Sequence, residues 1–233
     1  MESKARKVLG IGALVGGAAL AGVGAYLFSK NRDQELGFTN HRERALQLRK
    51  ETVRGANGMT TTVYRGKIPI RERLGLMQEQ IARSVKSPGA IKLARQMTNH
   101  CPDRDDACVL RAIYNWKRAN LRYTGDIAPH KLEEKDGGKV EPVDVFQSAE
   151  RTAEFGGGDC DDHSIFGAAM GIINGITMYL RVTAPQMSIR ENYEHVYDLG
   201  EIDGKQVPID STLPGGDFFG ITPPHAKMLQ VIA

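Results

Sequence analysis

Three residues of this chain have the types and the order that nucleophilic acyl transfer needs: Cys160, His195 and Asp210. Cys160 stands in "GGGDCDDHSIF", where three glycines run into an acidic, cysteine-bearing junction and the chain then turns apolar. The positions of Ile165, Phe166, Ala169, Ile172 and Ile173 predict a helix from Cys160 to about Asn174, buried on one side. A thiol at a helix start meets unpaired backbone N–H groups and the positive end of the macrodipole, both of which favour thiolate. Glycines ahead of it let the backbone turn sharply and let a substrate approach, and they leave the Cys160 N–H free to face a developing oxyanion. Asp159, Asp161 and Asp162 act against this by placing negative charge around the sulfur, so a cationic partner is required.

Two histidines are candidates for that partner. His163 follows Cys160 by three residues on the same helix face, without an evident group to orient it. His195 lies in the strand-like run "YEHVYDL", and the following Ile202-Asp203-Gly204-Lys205 is a type I′ hairpin signal. With Asp203-Gly204 as the loop, Ile202 pairs with Lys205, Tyr197 falls opposite Asp210, and His195 falls opposite Thr212. His195 and Asp210 are then diagonal neighbours on one face, about 7–8 Å apart at the backbone, a gap two side chains can close. A slip of one residue would put them on opposite faces. The expected roles are Cys160 as nucleophile, His195 as its base and Asp210 as the group that holds the imidazole.

Asp159, Cys160, Asp161, Asp162 and His163 are all potential metal ligands, but consecutive residues at a helix start are expected to fan outwards. The sequence offers no second cluster such as CxxC or HExxH. No metal and no cofactor is expected. "GGGDCDD" lacks the lysine of a Walker loop and would repel phosphate.

The elements that must position these residues are legible in part. A helix-compatible pattern runs from Arg42 to Arg54 and stops at Gly55–Gly58, and a short extended piece follows around Thr60 to Tyr64. Leu74, Met77, Ile81 and Val85 predict a helix from Ile70 to about Val85, Ser87-Pro88-Gly89 breaks it, and a second helix runs from about Ala90 to Met97. Asp103 or Asp105 can cap the next helix, which carries Val109, Leu110, Ile113, Trp116 and Leu121. Gly125 to Pro142 reads as a long surface loop. Ile176–Val182, Tyr193–Leu199 and Gln206–Ile209 read as strands. Helices first and strands second predict an α+β fold with an antiparallel sheet.

The chain of 233 residues, 41% hydrophobic and 25% charged, is long enough to bury a sizeable core. Its net charge of +3 does not argue for nucleic acid, and the basic surplus between Lys30 and Arg73 reads as a solvated helical face rather than a polyanion site, so no specific nucleic-acid binding is expected. Val8–Phe28 is an uncharged run long enough to span a bilayer, following Lys4, Arg6 and Lys7. Its Gly12 and Gly16 form a GxxxG pair suited to self-association. We expect a membrane segment over residues 1–30, a cleaved signal ending at Ala19-Leu20-Ala21 being the alternative. A basic helical region over 31–100 and a catalytic domain over 101–233 are expected to follow. Cys101 and Cys108 either close a small disulfide loop, leaving Cys160 unpaired, or remain reduced and merely pack.

"AIYNWKRANLRYTGD", "DVFQSAERTAEFGGGDCDDHSIFGAAM" and "EHVYDLGEIDGKQVPIDST", with the spacing between them, resemble the transglutaminase-like cysteine enzymes of the papain-like superfamily, in particular short bacterial and phage versions. The resemblance covers roughly the last 120 residues. It implies helices packed on an antiparallel sheet with the nucleophile at a helix N-terminus, a Cys160–His195–Asp210 triad, and acyl transfer through a thioester. It also implies that Gln147, ahead of the nucleophile, assists at the oxyanion site. Val207-Pro208 stands where family members often carry an aromatic. The expectation is a membrane-anchored cysteine hydrolase, a peptidase or amidase, of the cell envelope, the periplasmic face or a virion. Its substrate would be a peptide, a protein or a peptidoglycan peptide. The alternative is a catalytically idle structural or membrane-interacting module, for example a phage virion or ejection component.

Overall fold

A computed structural model describes residues 49–54, 59–65, 68–124, 143–184, 194–225 and 227–233. The expected membrane segment over 1–30 and the loop from Gly125 to Pro142 lie outside the described residues. Among the described residues no helix is long and apolar enough to cross a membrane.

Five helices and nine strands are described. In chain order they are β1 (Arg49–Arg54), β2 (Thr60–Arg65), α1 (Ile70–Ser84), α2 (Pro88–Thr98), α3 (Asp106–Asn120), β3 (Arg122–Tyr123), β4 (Val143–Gln147) and α4 (Ala149–Phe155). There follow β5 (Gly157–Gly158), α5 (Cys160–Ile173), β6 (Met178–Ala184), β7 (His195–Ile202), β8 (Lys205–Pro208) and β9 (Lys227–Ile232). The fold is α+β, as expected from the order of elements.

Among the described residues helix α5 is central, and it is buried on every side rather than on one. Every residue from Cys160 to Gly171 is buried. A helix without a polar face needs partners all round, and α1, α2, α3 and α4 supply them together with β6 and β7. Its small residues set how closely those partners pack. A Cβ on Gly171 would lie 2.3 Å from Met178 Sδ, so the glycine lets β6 come in against the helix. Trp116 of α3 stacks on Phe166 at 4.8 Å between ring centroids.

The main sheet runs β8-β7-β6-β9, antiparallel throughout. A second antiparallel sheet runs β1-β2-β4. The helix expected to end at Arg54 is therefore corrected. Residues 49–54 form a strand that pairs antiparallel with β2, from Arg49 opposite Arg65 to Arg54 opposite Thr60, instead of the end of a helix. Pairing with β2, which itself pairs with β4, outweighs the local pattern. Helices α1 and α2 contribute Leu74, Met77, Ile81, Ala90 and Ala94 to the same hydrophobic core as α5. Cys101, ahead of α3, and Cys108, in its first turn, are disulfide-bonded, and Cys160 is a free, buried thiol.

Candidate active site

The three glycines before Cys160 each have a separate structural reason. Gly156 ends α4 in the left-handed region at φ 72°, where a Cβ is disfavoured. Gly157 lies so close to β3 that a Cβ would meet Arg122 O at 2.6 Å, and one on Gly158 would meet Asp162 Cβ at 2.4 Å. The crowding at Gly157 comes from the short parallel ladder in which Arg122 pairs with Gly157 and Tyr123 with Gly158. The chain thus enters α5 pinned between β3 and the helix's own first turn. Asp159 is the N-cap, its carboxylate accepting from the N–H groups of Asp161 at 2.9 Å and Asp162 at 3.3 Å.

Gln147 and Asp162 lock this junction from the other side. The Gln147 backbone N–H donates to Asp162 Oδ1 at 2.8 Å, and its side-chain amide donates to Asp162 Oδ2 and to Gly157 O. The amide that the family resemblance assigns to the oxyanion site is committed instead to holding the helix start.

His195 and Asp210 meet as the hairpin register required. Asp203 and Gly204 both have positive φ, 49° and 73°, and Ile202 pairs with Lys205. The ladder ends at Pro208, but Ile209 N still donates to Asp198 O at 3.0 Å, so the register carries on to Asp210. The side chains then close the diagonal: His195 Nε2 lies 2.7 Å from Asp210 Oδ2. The other carboxylate oxygen accepts from Thr212 N at 2.9 Å and Thr212 Oγ1 at 2.7 Å. Burial pushes the Asp210 carboxyl up, but the hydrogen bonds from His195 and Thr212 outweigh it and hold the group below the usual carboxylate range. An ionised Asp210 fixes Nε2 as the protonated ring nitrogen and leaves the Nδ1 lone pair for another proton.

Cys160 reaches this pair through the backbone of β7. Its sulfur donates to Asp161 Oδ1 at 3.8 Å, and Ser164 Oγ, one turn on, donates to the carbonyl of Val196, the residue after His195, at 3.2 Å. No direct hydrogen bond joins Cys160 to His195 among the described residues. The thiol is 8% exposed. Burial first, then Asp161 and Asp159, push its pKa well above the ordinary thiol range, against the opposing effects of Val196 N–H and Arg73. The helix start does not outweigh these effects, so the resting sulfur is a thiol rather than the thiolate that the dipole alone suggested.

The cation at the site is one the sequence did not single out. Arg73 of α1 pairs with Asp144 of β4 and lies 3.8 Å from Asp161 Oδ2. Burial, then the neighbouring Asp159, raise the Asp161 carboxyl to about 8, which leaves it largely protonated near neutrality and softens the charge facing the sulfur. Neither His195 nor His163 had to supply that charge. His163 is fully engaged elsewhere, Nδ1 at 2.9 Å from Ser211 Oγ and Nε2 at 3.5 Å from Arg122 O. Burial, then Lys117, lower it to about 4, so it stays neutral and ties α5 to the residue after Asp210. It has orienting partners after all, and they occupy both ring nitrogens.

Asp159, Cys160 and Asp161 do not fan outwards as expected. Their ligand atoms lie within 4.8 Å of one another. Asp159 is extended at φ −91°, ψ −163°, outside the helix proper, and folds back over the first turn. These three groups could hold a divalent cation.

Below the site lies a buried ion pair. Lys117 Nζ is 2.7 Å from Asp198 Oδ1 and donates to Ile209 O at 3.0 Å, with side-chain exposures of 0% and 1% for the pair. Lys117 follows Leu110, Ile113 and Tyr114 on the apolar face of α3, and a lysine in such a stripe is the signal the sequence did contain.

No family model matches the chain, and no curated protein matches it. Among solved structures, it is similar to the "putative cysteine protease from Cytophaga hutchinsonii", with a TM-score of 0.39 and 16% identity, over 71% of this chain and 62% of that one. It is also similar to the "putative protease from Parabacteroides distasonis", with a TM-score of 0.45 and 10% identity, over 75% of this chain and 32% of that one. The chain therefore spans less than two thirds of the length of either.

Proposed function

We propose that the protein is a cysteine hydrolase of transglutaminase-like, papain-like type, acting on a peptide or amide bond through a Cys160 thioester. The observation that carries this reading is the 2.7 Å bond between His195 Nε2 and Asp210 Oδ2, on a hairpin whose first strand borders the one free cysteine among the described residues. His195 takes the thiol proton on Nδ1 as the sulfur attacks the carbonyl carbon, and passes it to the departing amine. Water, activated by the same imidazole, then hydrolyses the thioester. Because the resting sulfur is protonated, proton transfer accompanies attack instead of preceding it, as in serine enzymes. A lysine amine in place of water would give transglutamination with the same residues. The Cys101–Cys108 disulfide supports an oxidising location, and a membrane tether through residues 8–28 would fit an envelope or virion enzyme.

The test is acylation by p-nitrophenyl acetate, read as a burst of p-nitrophenol and as an acetylated peptide. The wild type is expected to carry one acetyl group on Cys160, released slowly by water and faster by added amine, and Cys160→Ala to carry none. One observation favours a second reading, an idle structural module: the thiol is buried and pushed up. That reading expects no burst from a folded sample.

A further inference from the structure

Residues 100–108 carry a histidine and two cysteines, and the chemistry proposed for Cys160 uses none of them. His100 Nε2 lies 3.9 Å from Cys101 Sγ, and the ligand atoms of His100, Cys101 and Cys108 all lie within 4.8 Å of one another. A tetrahedral zinc ion, with Zn–S at about 2.3 Å and Zn–N at about 2.0 Å, sets such atoms about 3.5–3.8 Å apart, so the three stand near that spacing. The loop that presents them is built by bonds other than the disulfide. Cys101 N–H donates to Thr98 O at 2.9 Å at the end of α2, and Asp105 N–H donates to Pro102 O at 3.2 Å in the turn that follows. Asp105 then caps α3 by accepting from Cys108 N–H at 2.8 Å, which fixes the second cysteine on the first helical turn. Thr98 bonds Asn174, the C-cap of α5, at 3.0 Å, so the loop is also tied to the core. His100 is exposed and both cysteines are half-buried, so a reductant and a metal ion can reach the sulfurs. Asp103, Asp105 and Asp106 outnumber Arg104 in the same loop, a balance that favours a dication.

We infer that, once the Cys101–Cys108 disulfide is reduced, His100, Cys101 and Cys108 form a zinc site, so that the loop between α2 and α3 is closed by a covalent bond in oxidising surroundings and by a metal ion in reducing ones. This goes beyond the hydrolase reading and stands without it. A phosphine supplies the two electrons: phosphorus attacks one sulfur, the S–S bond breaks, and water converts the phosphonium to phosphine oxide as both sulfurs leave as thiols. A dithiol reductant gives the same two thiols and ends as its own disulfide. Zn²⁺ then displaces the two thiol protons and binds two thiolates and the neutral imidazole, a set with no net charge. Two sulfurs and an imidazole select zinc over magnesium and calcium, which take oxygen ligands. The Cα atoms of the two cysteines are 5.6 Å apart, so side-chain rotation can part the sulfurs to the about 3.8 Å that the ion requires. A water molecule completes the tetrahedron. Helices α2 and α3 both pack on α5, so either closure braces the helix that carries Cys160.

The test uses the full chain carrying Cys160→Ala, which removes the third cysteine and with it the sulfur beside Asp159 and Asp161. Reduced with a water-soluble phosphine and kept free of oxygen, it is expected to take one Zn²⁺ per chain from a chromogenic chelator and to melt at a higher temperature with zinc than without. With Co²⁺ as the probe it should show sulfur-to-metal charge-transfer absorption. The unreduced protein should take up no zinc. His100→Ala, at an exposed position, should weaken zinc binding at least about tenfold, since loss of a partner behind a ligand already costs that much. Cys108→Ser should weaken it further. No uptake by the reduced protein, equal uptake by the unreduced protein, or uptake indifferent to His100→Ala would overturn the inference. So would uptake without a rise in melting temperature, which would put the metal on the unfolded chain.

Discussion

Asp210→Asn is expected to lower the rate of Cys160 acylation by about 10³–10⁴-fold while leaving the protein folded. The side chain keeps its oxygen on Thr212 N and Oγ1, so the local turn survives the change. What changes is the group facing His195. A carboxylate accepts from Nε2–H, but the amide that replaces it presents an N–H, and the imidazole answers by moving its proton to Nδ1. The nitrogen that must receive the thiol proton is then already protonated. A burst assay on the variant, beside its thermal melt, checks both halves of the expectation. A rate within a few-fold of the wild type would remove Asp210 from the mechanism.

Lys117→Met is expected to cost about 3–5 kcal/mol of stability, because it leaves Asp198 buried without its counter-charge. The site is unusually intolerant of repair. A Cβ on Gly167 would lie 1.7 Å from Asp198 Oδ2 and 2.9 Å from Lys117 Nζ, so the pair fills the space that this glycine leaves. The deficit should depend on pH in a defined direction. Burial raises the Asp198 carboxyl from 3.8 to about 6 despite Lys117. The folded state thus holds that proton more tightly than the unfolded chain does. Stability from this group is fully present below about pH 3.8 and is lost as pH rises through about 6. Without the lysine the carboxylate has no compensation, so the variant's deficit should be smaller at pH 5 than at pH 7, measured by urea melts at the two values. A deficit independent of pH would mean that Asp198 does not titrate in this window. Because Lys117 also holds Ile209 O, one residue from Asp210, slower acylation should accompany the lost stability.

The contrast between these two positions shows what the sequence could disclose. The His195–Asp210 pair was legible because a two-residue turn of Asp and Gly admits one register, and a period of two then fixes every face. Cys160 was legible because glycines followed by an N-cap and an apolar run mark a helix start in any context. The environment of the sulfur was not. Arg73 comes from a helix far away in sequence, and nothing local to "RERLG" says that one arginine turns inward onto Asp144. The thiol's pKa depends on burial by α1 to α4, which no local pattern encodes. Sequence order placed Gln147 near the nucleophile but could not show that its amide points to Asp162 and Gly157. β1 was read as a helix because its stop signal, "GANG" at Gly55 to Gly58, marks the end of a helix and of a strand equally well. Strand β4 and helix α4 went unseen, although Val143 and Val145 alternate with Asp144. Lys117 was passed over within a helix that was otherwise correctly placed.

The central claim is that Cys160 is a nucleophile made reactive by His195. The most direct measurement is the pH profile of iodoacetamide alkylation at Cys160, in the wild type and in His195→Ala. The expected result is that the variant reacts at least about tenfold more slowly at neutral pH, and that the two profiles converge at alkaline pH, where hydroxide ionises the thiol without help. Two superimposable profiles, each rising only at alkaline pH, would contradict it and leave Cys160 as a buried structural thiol.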